Sequence, residues 1–453
     1  MPEHRQLTRR QLLRRGLLTA GTAFALPRFV SVAAFGSPKQ SPASERIRLG
    51  VIGTGSRGKY LIANLPEAAQ VVAICDCYMP RMANTLQPER PFAGLLERFR
   101  EQDAPRCATY QDYRQLLDKE QLDAVVIATP DHHHVLAAML ACQAGLDVYV
   151  EKPLSLTIAE GRTLVKAVAR YGRVVQVGSQ QRSMEINRLG CEFIRNGGIG
   201  KVSRVQLSNF AGPRRYTELV GEPIPVGLDW DLFRGPTAQR PHHRRLWVKD
   251  EFQVDGQLWR GWDVWRDYSG HLMTNWGAHS VDMVQLALGM DATGPVEIRP
   301  LTAGYAGELR LCPVTMRYAT GVELQFAAGV EGTIFHGEHG RVLMSRNQFS
   351  VDPPELLDHP PDRALADVWK GTGIVARPHL QNWLDCIKSR QTPHAPVEAA
   401  HRTVTICHSA NIARELRRPL RWDPVQERFP DDDEANGLLD RPRGQGFELP
   451  SIS

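Results

Sequence analysis

The sequence predicts an α/β protein in two parts: an N-terminal doubly wound parallel sheet, then a C-terminal α/β domain built on an open, mostly antiparallel sheet. Three observations carry this. The apolar run Ile47 to Ile52 leads straight into a glycine-rich turn, and strand-like and helix-like stretches alternate from there to Val177. Beyond Lys201 the helical spacing thins, and short runs separated by Gly-containing turns take over. At 453 residues, the chain exceeds what one hydrophobic core serves. The expected boundaries are a leader and linker over 1–44, the doubly wound domain over 45–178, the second domain over 179–425 and an extended tail over 426–453.

The leader contains Thr8-Arg9-Arg10-Gln11-Leu12-Leu13, an apolar run from Gly16 to Leu26, then Arg28 and small residues around Ser31 to Ala34. This order predicts a twin-arginine export signal: handling by the twin-arginine export machinery, passage across the membrane already folded, and a periplasmic location. The run is too short to span a bilayer and no cysteine follows it, which predicts no stable membrane anchor. Of the 55 Lys and Arg, seven lie in this segment with one of the 50 acids, so the rest carries 48 basic and 49 acidic residues. A nearly neutral body gives no electrostatic case for nucleic acid. Eight scattered cysteines without a C-x-x-C pair read as small buried residues, neither a disulfide framework nor a zinc pattern.

Element by element, the first strand is followed by Gly53-Thr54-Gly55-Ser56-Arg57-Gly58, and the run Val71 to Cys75 ends in Asp76. This is the order of a dinucleotide site. Gly53 permits the tight turn, Gly55 lets backbone amides approach a pyrophosphate, and Gly58 lets the next helix pack on the strand. Asp76, 23 residues after Gly53, is placed to accept ribose hydroxyls and to disfavour a 2′-phosphate, so NAD is expected; Arg57 and Arg81 keep NADP open. Next come a helical stretch from Arg81 to Leu86, an insertion near Gln87 to Arg106, and Tyr110 to Leu117 leading to the strand Ala124 to Ala128. The helix His133 to Gln143, the strand Asp147 to Val150, the helix Ile158 to Tyr171 and the strand Val174 to Val177 complete the alternation. The second sheet is expected from Val202 to Ser208, Val296 to Thr302, Val314 to Tyr318, Val322 to Phe326, Gly332 to Phe335 and Arg341 to Ser345. An open sheet of broad apolar content calls for a cover, which predicts a homo-oligomer through it. The helices His379 to Ser389 and Glu398 to Leu416 are expected to return to the first domain.

Glu151-Lys152-Pro153 ends a strand, so Lys152 stands at the carboxyl edge, where a nicotinamide would lie and where an amine can stabilise a developing alkoxide. If Met273 to Leu288 is one helix, Asn275 and His279 share a face, with Asp282 three residues beyond His279. His279 is then the natural proton acceptor, and Asp282 fixes its tautomer or caps the local surface. Trp230, Trp262, Trp265 and Tyr268 either stack on sugar faces or fill a core. Successive histidines His132 to His134 point about 100° apart on a helix and do not converge on a metal ion. His336-Gly337-Glu338-His339 reads as a hairpin turn.

Together, the Gly53 turn, Thr129-Pro130-Asp131-His132-His133-His134, Glu151-Lys152-Pro153, Asp229-Trp230-Asp231-Leu232-Phe233-Arg234-Gly235-Pro236 and Asn275-x-Gly277-x-His279 resemble the Gfo/Idh/MocA oxidoreductases from about Arg46 through the tail. The resemblance implies a Rossmann domain followed by an α/β domain with an open sheet, a nicotinamide cofactor, and a sugar, polyol or related carbohydrate substrate. It implies catalytic positions at Lys152 and His279 with Asn275, and a cofactor bordered by Thr54, Ser56, Thr129, Pro130, His134 and Glu151. Trp230, Arg234, Tyr268, His271 and Asp282 are the candidate substrate contacts. Two departures stand out: an amide, Asn275, occupies a position that is an aspartate in many relatives, and Gly270-His271 stands where consecutive glycines are common. An amide does not exchange a proton at neutral pH, which leaves proton transfer to His279 with Lys152. Three functions follow: a dehydrogenase with tightly held cofactor, a redox-neutral NAD-dependent glycosidase outside the two-carboxylate scheme, and a carbohydrate-binding protein that retains nucleotide structurally.

Overall fold

The computed structural model describes residues 46–89, 92–247, 252–254, 257–259, 261–346, 348–358 and 376–452. The expected export signal and linker over 1–44 lie outside the described residues.

The first sheet contains β1 (Ile47–Ile52), β2 (Ala69–Cys75), β3 (Ala108–Tyr110), β4 (Ala124–Ile127), β5 (Asp147–Val150) and β6 (Val175–Val177). All pairings are parallel and the order is β3-β2-β1-β4-β5-β6. β4 and β5 are buried at every residue, as central parallel strands covered on both faces must be. One face packs the helices His134–Gln143 and Ile158–Tyr171; the other packs Ser56–Asn64 and Arg377–Ser389, whose Trp383 is wholly buried. Strand order reverses between β1 and β4, which opens a crevice beyond their carboxyl ends.

The second part contains β7 (Arg204–Ser208), the hairpin β8 (Phe252–Val254) with β9 (Gln257–Trp259), then β10 (Glu297–Pro300), β11 (Val314–Arg317), β12 (Glu323–Ala327), β13 (Thr333–His336), β14 (Arg341–Ser345), β15 (Gln348–Asp352) and β16 (Leu420–Arg421). Apart from the hairpin these form one eight-stranded sheet in the order β15-β14-β13-β7-β12-β11-β10-β16, antiparallel except for the parallel pair β7–β12. Alternation sends Val205, Leu207, Leu324, Phe326, Phe335 and Met344 inward against the helices Glu185–Arg195, Gly277–Leu288 and Val397–Leu416. The opposite face carries Arg204, Gln206, Glu323, Gln325 and Arg341, with Leu343 40% exposed. The outer row is therefore mainly polar, which corrects the apolar argument for a covering subunit.

The helix Val397–Leu416 divides its allegiance: Val397, Ala400 and Val404 enter the first core, while Ile406, Cys407 and Ala410 enter the second. The tail is docked, not free. Arg441 and Arg443 both reach Glu160, and Phe447 is buried. All eight cysteines are free thiols. Among the described residues no helix is long and apolar enough to cross a membrane.

Candidate active site

The crevice is a cleft of about 1220 Å³, larger than the roughly 300–1,000 Å³ of a single drug-sized site. Its first wall is the turn after β1. Gly53 holds φ +92°, and a Cβ there would lie 2.6 Å from the Ala128 carbonyl carbon and oxygen. A Cβ on Gly58 would lie 2.0 Å from the Gly53 oxygen, whereas one on Gly55 meets nothing within 4 Å. Two glycines are thus demanded by packing and the third leaves backbone open to the cleft. The helix Ser56–Asn64 starts here without a side-chain cap, and its amides and dipole suit an anion. Thr129 Oγ1, on the same wall, is buried without a partner. An uncapped helix start beside an orphaned hydroxyl fits the pyrophosphate and sugar of a dinucleotide.

Asp76 lines the cleft as expected but is not idle. Its Oδ2 accepts from the Thr54 amide at 2.9 Å and hydroxyl at 3.1 Å; its Oδ1 accepts from the Tyr78 amide and the Arg81 guanidinium, both at 3.0 Å. The carboxylate braces the glycine turn, so a ribose hydroxyl has to share or displace these donors. Arg81 also places a cation beside it, which offsets the charge expected to disfavour a 2′-phosphate.

At the other end, Arg57 Nε donates to Glu151 Oε1 at 2.8 Å, tying the turn to the end of β5. His134 spans the loops after β4 and β5, its ring nitrogens 2.7 Å from the Pro153 carbonyl and 2.9 Å from that of Thr129. Lys152 Nζ donates to the backbone oxygen of Asn275 at 3.1 Å and also to its Oδ1. Asn275 Nδ2 in turn donates to Asp263 Oδ2 at 3.3 Å, and Asp263 Oδ1 lies 2.7 Å from His271 Nδ1. A chain of contacts thus runs from the catalytic-position amine to His271, a non-glycine residue held at φ +57°. Such left-handed backbone costs on the order of 1–2 kcal/mol. Burial lowers the proton affinity of Lys152, and burial raises that of Asp131, whose Oδ2 accepts from Ser269 Oγ at 2.8 Å. An amine and a carboxyl on one cleft wall are both drawn toward neutrality.

His279 lines the same cleft, and burial, then Lys152 and Arg346, keeps its imidazole well below the usual range. Arg346 Nη2 donates to His279 Nε2 at 3.1 Å. A guanidinium has only donors, so Nε2 is the acceptor and the ring proton sits on Nδ1.

Several expected partners are elsewhere. The helix expected over 273–288 is two: His271–Asn275 and Gly277–Leu288, interrupted at Trp276. Asn275 and His279 meet the cleft nonetheless. Asp282 neither orients His279 nor caps a surface; it is buried, with Arg182 Nε 2.9 Å from both its oxygens and Thr403 Oγ1 at 3.1 Å. Trp230 is buried, stacked on Phe233 at 5.3 Å, with its Nε1 donating to the Arg240 carbonyl. Arg234 serves Asp231 and the Thr237 carbonyl, and Tyr268 is wholly buried; none of the three lines this cleft. His271 contacts Asp263 behind Asn275. The histidine trio also needs correction: His132 and His133 do converge, both Nε2 atoms lying 2.8–2.9 Å from the Phe233 carbonyl oxygen. A 3-10 turn, not an α-helix, carries them. Among the described residues no cluster of His, Cys, Asp and Glu is placed to hold a metal.

Sequence reasoning passed over Trp276, Arg346, Asp131 and Asp263. Trp276 is 46% exposed at the cleft, with Trp262 also on the lining. Its signal was its place between Asn275 and Gly277. Asp131 stood inside a quoted motif without a role, and Arg346 had no local signal at all.

Two family descriptions match the chain: "Oxidoreductase family, NAD-binding Rossmann fold" over residues 47–179 and "Oxidoreductase family, C-terminal alpha/beta domain" over 209–449. A glycosyl hydrolase family 109 protein 1 of Shewanella sp. (strain ANA-3) is 29% identical over 183 residues, 37% of this chain and 38% of that protein. An inositol 2-dehydrogenase of Salmonella paratyphi B is 27% identical over 140 residues, 30% of this chain and again 38% of the relative. The matched stretch therefore spans well under half the length of these curated relatives. The crystal structure of the WlbA dehydrogenase from Bordetella pertussis, in complex with NADH and UDP-GlcNAcA, superposes with a TM-score of 0.55 at 18% identity, covering 84% of this chain and 98% of that one. It supports the fold.

Proposed function

This chain belongs to the Gfo/Idh/MocA oxidoreductase family, and we propose that it oxidises a sugar, polyol or related carbohydrate by hydride transfer, with NAD held tightly between turnovers. The observation that carries this reading is that Lys152 and Asn275, from separate parts of the chain, are hydrogen-bonded across the cleft that the glycine turn opens. NAD, when bound, supplies the hydride acceptor. The turn at Gly53–Gly58 binds its phosphates, and Thr129 and Glu151 border it. Lys152, held by Asn275, takes up the single hydroxyl proton in the neutral form that burial favours, or, as the ammonium, stabilises the alkoxide while that proton goes to His279. Neutral His279 is the second acceptor once its Nε2 is clear of Arg346. Trp276 offers the exposed aromatic face for a sugar ring.

A second reading is favoured by the similarity to a family 109 glycosyl hydrolase and by the two near-neutral groups on one wall, Lys152 and Asp131. Transient oxidation, elimination, hydration and hydride return would then cleave a glycoside without net redox change. The two-arginine leader supports export of the folded holoprotein to the periplasm. The deciding experiment denatures purified protein to identify released nucleotide, then follows reduced nicotinamide absorbance with a sugar and polyol panel. Lasting reduction supports the dehydrogenase; nitrophenyl glycoside cleavage at constant cofactor redox state supports the glycosidase; neither result defeats both.

A further inference from the structure

Arg346 follows β14, in the turn toward β15, and lines the cleft with Lys152 and His279. Among the described residues its guanidinium forms no ion pair with a carboxylate. Its Nη2 is spent on a neutral imidazole, its Nε is buried without an acceptor, and its Cζ lies 5.5 Å from the centroid of the Trp276 ring. Glu151, the carboxylate that acts on Arg346, is already engaged by Arg57, and the carboxylates toward Lys152 are engaged as well, Asp131 by Ser269 and Asp263 by His271 and Asn275. Lys152 likewise donates only to the neutral oxygens of Asn275. The substrate end of the cleft therefore presents two cations whose immediate partners are neutral. Burial, and then the charge of Arg57, loosens the proton on Arg346, so the protein holds this charge at a cost.

We propose that Arg346 is the recognition group for an oxyanion on the substrate, so that the enzyme takes acidic sugars, carboxylated or phosphorylated, in preference to neutral ones. This rests on the carbohydrate oxidoreductase reading and names its substrate class. A planar guanidinium receives a carboxylate or phosphate through two parallel N–H donors. The Trp276 indole beneath it receives the apolar face of the ring that bears the anion. The same contact covers the His279 lone pair, so drawing Arg346 toward the anion uncovers Nε2, and the substrate's charge readies the proton acceptor.

The test uses the NADH-loaded full chain. Hexuronates, hexose phosphates and the matching neutral hexoses are titrated while nicotinamide fluorescence is recorded, with wild type, Arg346→Met and Arg346→Lys. One acidic class should bind at least about ten-fold tighter than its neutral counterpart, the scale of a charge-assisted hydrogen bond. Arg346→Met should abolish that preference, Arg346→Lys should retain part of it, and NADH affinity should be unchanged. The two acidic arms separate a carboxylate from a phosphate. Equal binding of neutral and acidic sugars, absence of binding by every acid, or weakened NADH binding in Arg346→Met overturns the proposal, the last by assigning Arg346 to the cofactor. Arg346-dependent acid binding without any redox turnover would instead sink the oxidoreductase reading and leave this site standing. Undiminished binding and turnover of an acidic sugar by Arg346→Met would do the reverse.

Discussion

Replacing Lys152 by methionine separates what this side chain does for chemistry from what it does for stability. Methionine keeps the apolar stem and removes the nitrogen. A positioned acid–base group is worth about 10²–10⁴ in rate, or roughly 3–5 kcal/mol of barrier. The stability change is the difference of two opposed effects. Losing Nζ strips Asn275 O and Oδ1 of their donor, about 1–3 kcal/mol for a buried acceptor. Relief from holding an ammonium in a buried site returns about 1.4 kcal/mol for each unit by which its affinity for the proton is lowered. The effects nearly cancel, so the midpoint of thermal unfolding should move by only a few degrees. The sign with pH is definite. In the folded protein Lys152 releases its proton at lower pH than in the unfolded chain, so between those two values the unfolded state binds more protons and wild-type stability rises with pH toward about 10.4. Lys152→Met should lose that rise. Stopped-flow hydride transfer, NADH titration and thermal melts across pH read all three quantities. A variant within ten-fold of wild-type turnover, or one that loses turnover only because it unfolds or no longer binds NADH, refutes the assignment.

Three further outcomes follow from the geometry. Gly58→Ala places a methyl 2.0 Å from the Gly53 oxygen, so the turn must open and NADH binding measured by calorimetry should disappear while the second domain stays folded by circular dichroism. Arg182→Met leaves Asp282 buried with Thr403 as its remaining donor and should cost about 3–5 kcal/mol in denaturant unfolding, with no change in NADH affinity. Glu427 is buried against its own charge, yet His401 and Arg162 hold its carboxyl down to about 2. Its stabilisation is present above the unfolded value of about 4.3 and is lost as pH falls toward 2, so Glu427→Gln should lower stability at neutral pH and flatten the acid limb of the profile, read by denaturant unfolding across pH.

Much of the nucleotide half was legible because it is written locally. β1, the turn and the helix Ser56–Asn64 are contiguous, and the requirement at Gly58 is a clash with Gly53 in the same turn, although Gly53 itself is also closed in by Ala128 at the end of the adjacent β4. The strands missed were short or at edges: β3 has three residues and β16 two, too few for a period to register. The single helix expected over 273–288 failed because Trp276 interrupts it, a break that apolar spacing does not report.

What the sequence determined by itself is the alternation that builds a parallel sheet, the glycine cradle, and the placement of Lys152 at a strand's carboxyl end. What only the tertiary structure decided is who partners whom. Asp282 belongs to Arg182, 100 residues away, and His279 to Arg346, 67 residues away; Trp230 is core and Trp276 is surface. The reason is physical: backbone periodicity and turn sterics act over a few residues, whereas a side chain's charge partner is fixed by which strands and helices pack together, and that is a property of the assembled core.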